Sequence, residues 1–110
     1  MSTVLVVLCT CPSLSSAEQL ANVLLEQRLA ACINLLDGVQ SWYHWKGKIC
    51  RDQEVQLIIK TQAQHWPALE EAIITHHPYE LPEILALPIT AGYAPYLAWI
   101  QRQTTECTTP

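Results

Sequence analysis

The segment His76-His77-Pro78-Tyr79-Glu80-Leu81-Pro82-Glu83-Ile84 limits the fold more than any other stretch of the chain. Each proline fixes its own φ and pushes the residue before it, His77 or Leu81, towards an extended conformation. A helix arriving through Leu69-Glu70-Glu71-Ala72-Ile73-Ile74 must therefore stop by about His77, and a strand can start near Glu83. Two imidazoles are then held at a helix end beside a stiff connector. Such a place suits a ligand, and it serves equally well as a plain helix stop.

The other elements follow from periodicity. Val4-Leu5-Val6-Val7-Leu8-Cys9 reads as a strand that is apolar on both faces, so something must cover each of them. Pro12 ends it. Ser15 and Glu18 have capping-box spacing, which places a helix start at Ser15. Ala17, Leu20, Ala21 and Leu24 then form one inward face of a helix running to about Leu29. Ala31 to Leu36 is a second strand, interrupted by a turn or bulge at Asp37-Gly38 and resumed through Ser41-Trp42-Tyr43-His44-Trp45. Lys46-Gly47-Lys48 turns the chain. In the returning strand Val55, Leu57 and Ile59 alternate with Gln56 and Lys60, as in a half-buried strand.

Pro67 suits the first position of a second helix, on which Leu69, Ala72, Ile73 and His76 share a face. On that phase His76 continues the apolar stripe and His77 sits ~100° away. Ile84 to Leu87 is the last strand, and Pro88 favours an edge position. Pro95 opens a C-terminal helix with Tyr96, Trp99, Ile100 and Gln103 on one face. The tail from Thr104 to Pro110 is polar and expected to be loose.

The order is βαββαβ plus a C-terminal helix. It predicts an α+β, ferredoxin-like domain: an antiparallel sheet with two helices on one face. Following element directions, Cys9, the pair His76/His77 and the Trp42–Trp45 tip all arrive at one end of the sheet. The 110 residues make one domain, ordered over about residues 3–103. Half of them are apolar and 15% are charged, whereas a small monomer buries only ~65% of its surface. The excess, the two-faced strand and the aromatic hairpin tip point to burial against further copies of the chain. A net charge of −4 argues against nucleic-acid or anionic-membrane partners. The first apolar run has no basic segment before it and is too short to cross a membrane. With five cysteines, an odd count, at least one thiol is free within a chain, and reduced thiols fit the cytoplasm.

A thiol and two imidazoles are soft-to-borderline donors, suited to copper or zinc. No CxxC or HExxH spacing accompanies them, and an inert strand thiol beside helix-ending histidines accounts for the same residues. Cys11 would share a face with Cys9 if the strand persisted to it, a point that the following Pro12 leaves open. Cys32 reads as a core thiol. Cys50 and Cys107 carry no assignment. Glu80 and Glu83 read as solvated acids. A Cys–His nucleophile–base pair lacks an orienting acid, and no Gly-rich phosphate loop is present, so an enzyme is not expected.

Six ordered blocks run along the chain. They are Leu8-Cys9-Thr10, Leu29-Ala30-Ala31-Cys32-Ile33-Asn34, Tyr43-His44-Trp45-Lys46-Gly47-Lys48, Leu57-Ile58-Ile59-Lys60-Thr61, His76 to Ile84 and Tyr96-Leu97-Ala98-Trp99-Ile100. Together they resemble the CutA divalent-cation-tolerance family. The resemblance implies a ferredoxin-like fold, a homotrimer similar in build to the PII signal proteins, a cytoplasmic location and a role in tolerance of copper and other divalent metals. It implies Cys9, His76 and His77 as copper ligands, with zinc a further candidate. Cys11 is a departure that adds a thiol beside them. The alternative is a PII-like signalling or scaffold module that binds a small ligand or partner between subunits.

Overall fold

A computed structural model describes residues 3–105. Four strands and three helices follow in the order β1 (Val4–Cys11), α1 (Leu14–Glu26), β2 (Cys32–Trp45), β3 (Lys48–Gln62), α2 (Trp66–His76), β4 (Ile84–Pro88) and α3 (Ala94–Gln103). A single 3₁₀ turn, Ala63–His65, leads into α2. The sheet order is β2-β3-β1-β4, and every pairing is antiparallel. This is the expected ferredoxin-like arrangement, with β4 and its Pro88 at an edge.

Alternation along the strands divides the sheet into two faces. Leu5, Val7, Cys9 and Cys11 of β1 pair with Thr61, Ile59, Leu57 and Val55 of β3, and all eight are buried. Leu20 and Leu24 of α1 and Leu69 and Ile73 of α2 close the core over them. Val6, Leu8 and Ile58 lie on the opposite face and are only half-buried. There α3 covers one end: the Gln62 amide donates to the Gln101 carbonyl at 3.3 Å and to the Thr104 hydroxyl at 2.6 Å. Leu85 and Leu87, which pair with Leu8 and Val6, remain 56% and 48% exposed.

Several boundaries differ from the sequence reading, each for a local reason. The cap of α1 is Ser13, not Ser15. Its hydroxyl accepts the Ser16 N–H at 3.1 Å, and the Ser16 hydroxyl accepts the Ser13 N–H at 3.3 Å, a reciprocal box built without Glu18. The helix ends at Glu26 because Arg28 takes a left-handed conformation, φ 58°. Leu29 N–H then returns to the Leu24 carbonyl at 3.0 Å and Arg28 N–H to the Leu25 carbonyl at 3.1 Å, a Schellman closure made without glycine. Cys32 belongs to the face opposite α1 and α2, paired with Lys60, and is half-buried, so it is not a core thiol. Thr104 is fully buried and packs against Ile100 and Gln62, so the tail is not loose at its start. Residues 106–110, with Cys107, lie outside the described residues.

Beyond the Cys11–Val55 pair, β2 and β3 continue alone as a ribbon to Trp45 and Lys48, which contributes to a long axis of 52 Å. A register shift between Leu36 and Val39 marks the Asp37-Gly38 bulge, where Gly38 has φ 75°. The tip turns through Lys46 and Gly47 at φ 50° and 78°, the pair of positive values that a two-residue hairpin needs. Trp42 is 61% exposed, Tyr43 39% and Trp45 41%. The aromatics therefore do not fold back onto the chain's own core. Replacing Gly47 with valine puts a β-branched side chain in the left-handed region, and should cost ~1–2 kcal/mol in denaturant unfolding. Gly47→Asn should cost much less, because asparagine tolerates that region.

Candidate metal centre

The site forms where β1 ends beneath the end of α2. Pairing with Val55 keeps β1 extended through Cys11, so Cys9 and Cys11 point to the same, helix-covered side. Both sulfurs are fully buried. On the other element, Pro78 drives His77 out of helical geometry to φ −84°, ψ 137°, while its N–H still closes on the Ile73 carbonyl at 2.8 Å. This break in phase reverses the order expected of the two histidines. His77 turns inward and is 8% exposed; His76, the last helical residue, is exposed to solvent. The 3.6-residue stripe stops being a guide at the residue before the proline.

Both nitrogens of the His77 ring are committed. Nδ1 accepts the backbone N–H of Tyr79 at 3.0 Å. Nε2 lies 2.7 Å from the Thr10 carbonyl, which can only accept, so Nε2 carries the proton and the imidazole is neutral. The same Nε2 lies 3.8 Å from Cys11 Sγ. The Tyr79 ring packs against His77 at 4.9 Å between centroids, and its hydroxyl donates to Glu54 Oε2 at 2.8 Å. Glu54, itself buried, and Thr10 also line a cavity of about 550 Å³ that opens between the ribbon aromatics Trp42, Trp45 and the 79–83 connector.

The two thiols act on one another. The hydrogen bond to Cys11, and then burial, hold the Cys9 thiol well above the ordinary thiol range. Cys11 is pulled below that range first by the hydrogen bond from Cys9; burial opposes the shift and the Ser16 hydroxyl adds to it.

Cys9 Sγ, Cys11 Sγ and a ring nitrogen of His77 lie within 4.8 Å of one another. An ion bound tetrahedrally at about 2.3 Å from sulfur and 2.0 Å from nitrogen holds its ligand atoms roughly 3.5–3.8 Å apart. The donors thus stand close to coordination spacing, and their softness suits copper or zinc. Of the residues marked in the sequence, the fold brings Cys9 and His77 together and leaves His76 outside the cluster. Cys11 joins it. Its face-sharing with Cys9 was visible in the sequence, but the persistence of β1 up to Pro12 was not. Glu80 and Glu83 are exposed on the cavity rim.

The fold has known counterparts. Residues 5–103 match the model of the CutA1 divalent ion tolerance protein family. The chain belongs to the CutA1 family. A divalent-cation tolerance protein CutA of Escherichia coli (strain S88) is 46% identical over 99 residues, covering 90% of this chain and 88% of the relative. The crystal structure of CutA from Xylella fastidiosa superposes with a TM-score of 0.91 at 44% identity, covering 94% of this chain and 100% of that one. The periplasmic divalent cation tolerance protein CutA from Archaeoglobus fulgidus has a TM-score of 0.90 at 34% identity, covering 93% and 99%. The CutA1 match therefore spans the β1 end, the ribbon and the 76–84 connector that build the centre.

On the ribbon side of the cavity, Tyr43 is the group whose proton is held most visibly by a neighbour. The hydrogen bond from the Tyr43 hydroxyl to Asp52 is the main reason that the Tyr43 phenol is pushed up to about 12. A raised folded-state value means the folded protein holds this proton longer than the unfolded chain does. The contribution is complete below the ordinary phenol value of ~10 and is lost as pH rises through about 12. Phenolate absorbance should show a late-titrating tyrosine, and Asp52→Asn should bring it back towards the ordinary range.

Proposed function

We propose that the chain acts in divalent-cation tolerance as a homotrimer that binds copper, with zinc a weaker competitor, at the β1–α2 end of each subunit. The observation that carries this reading is the convergence of Cys9 and His77, 68 positions apart in the chain, in one buried pocket of soft donors. Copper stands highest in the divalent affinity order, and a thiolate further favours Cu(I). His76, which the resemblance also implies, stands exposed one residue before His77. Binding requires deprotonated ligands, so affinity should fall on acidification. A competition titration of wild type against the Cys9→Ser, His77→Ala double variant tests the reading; equal copper affinity would remove it. The cytoplasm fits this chemistry, because the thiols must stay reduced to bind.

The trimer is supported by the surface that one chain leaves open. Leu85 and Leu87 flank the half-buried Leu8, Val6 and Ile58 on the uncovered sheet face, and Trp42 and Ile49 stand 61% and 72% exposed on the ribbon. An isolated two-stranded ribbon is marginal in water. Sedimentation at micromolar concentration should show one species near three times 12.4 kDa. A stable monomer there would defeat the proposal. Trp45→Ala should cost ~3–5 kcal/mol if that ring is buried by a neighbour. An unchanged melting temperature and assembly would show that it is not.

A PII-like ligand-binding module remains the competing reading, and the 550 Å³ cavity favours it. Metal binding that is weak and unselective in the same titration would shift the balance to that reading.

A further inference from the structure

We infer that the metal ligands of this chain are Cys9, Cys11 and His77, with Cys11 in the place that the resemblance gives to His76. The inference rests on the reading that the chain binds a metal, and it specifies the site. Three observations carry it. The donor atoms of these three residues already lie within 4.8 Å of one another. All three residues are buried, the two thiols completely, whereas His76 is exposed. The backbone also separates the histidines: His76 is the last residue of α2, and His77 has left the helix for an extended conformation set by Pro78.

The change of ligand changes the chemistry. One sulfur and two imidazoles form a borderline donor set. Two sulfurs on a strand and one imidazole form a soft one, selective for a thiophilic d¹⁰ ion such as Cu(I) or Zn(II) over hard divalent ions. The thiols give up their protons to solvent, and each sulfur lone pair forms a bond to the ion. His77 Nε2 must also give up the proton it donates to the Thr10 carbonyl. If the ring takes a proton at Nδ1 in exchange, the Tyr79 N–H loses its acceptor. Ion entry therefore costs two existing hydrogen bonds, which the metal–ligand bonds must exceed.

X-ray absorption on the unsubstituted protein, loaded with Zn(II) or, under reducing conditions, with Cu(I), counts the neighbours directly. Two sulfurs are expected, for zinc at about 2.3 Å, with a nitrogen shell at about 2.0 Å. One sulfur with two imidazole nitrogens would overturn the inference and return the site to Cys9, His76 and His77. Competition titrations give the second arm. Cys11→Ser should weaken binding by more than ~100-fold, beyond the ~10–100-fold typical of losing an outer-shell partner. His76→Ala should leave affinity unchanged, and the reverse ranking would refute the assignment. Circular dichroism and sedimentation check that the Cys11 variant is folded, while the absorption result needs no variant. If the wild type binds neither ion, the metal reading falls and takes this inference with it. If it binds while Cys11→Ser is unaffected, this inference alone fails.

Discussion

Strand β1 sits between β3 and β4, hydrogen-bonded along both edges and faced by side chains on both sides, and the rest of the molecule is arranged to satisfy it. A strand with no polar face cannot lie at a surface. Its inner row, Leu5, Val7, Cys9 and Cys11, is closed by α1 and α2; its outer row is closed at one end by α3. What remains open, around Leu8, Ile58, Leu85 and Leu87, is the surface that a second chain would have to cover. The same strand also delivers the two thiols, because a period of two residues puts Cys9 and Cys11 in the same row.

The architecture was legible because several independent signals agreed. Alternation in β3, the apolar face of α1 and the proline positions each assigned an element, and together they left one arrangement. The misreadings came where a side chain replaced the expected signal. Arg28 closes α1 in a left-handed conformation that usually announces itself with glycine. Ser16 completes the capping box where Glu18 stood at the customary spacing from Ser15. Neither substitution alters the burial pattern, so the fold survived both errors.

At the site, legibility had a different limit. Following strand and helix directions brings Cys9 to the His76–His77 end, and the structure has Cys9 and His77 together there. The sequence reading assigned the wrong histidine to the interior, because a helical period was extended one residue past the point where Pro78 cancels it. That error matters more than a shifted boundary: consecutive helical residues diverge by ~100°, so a change of phase exchanges solvent for core. The position of Cys11 was left open for the opposite reason. Pro12 was taken to disrupt the strand end, whereas a proline immediately after a strand removes no ladder hydrogen bond from the residues before it.

The His77 ring joins two places that would otherwise be separate. Its Nε2 holds the Thr10 carbonyl at the end of β1, and its Nδ1 holds the Tyr79 amide. Tyr79 in turn reaches Glu54 on the ribbon side, and Thr10, Tyr79 and Glu54 are all walls of the 550 Å³ cavity. A tautomer or ligation change at His77 cannot leave both hydrogen bonds intact, because a single ring nitrogen cannot donate and accept along the same axis. Thr10 and Tyr79 then both lose their partner, and Tyr79 keeps its hydroxyl hydrogen bond to Glu54. The thiol cluster and the cavity wall are therefore joined through one chain of contacts, from Cys11 to His77, Tyr79 and Glu54.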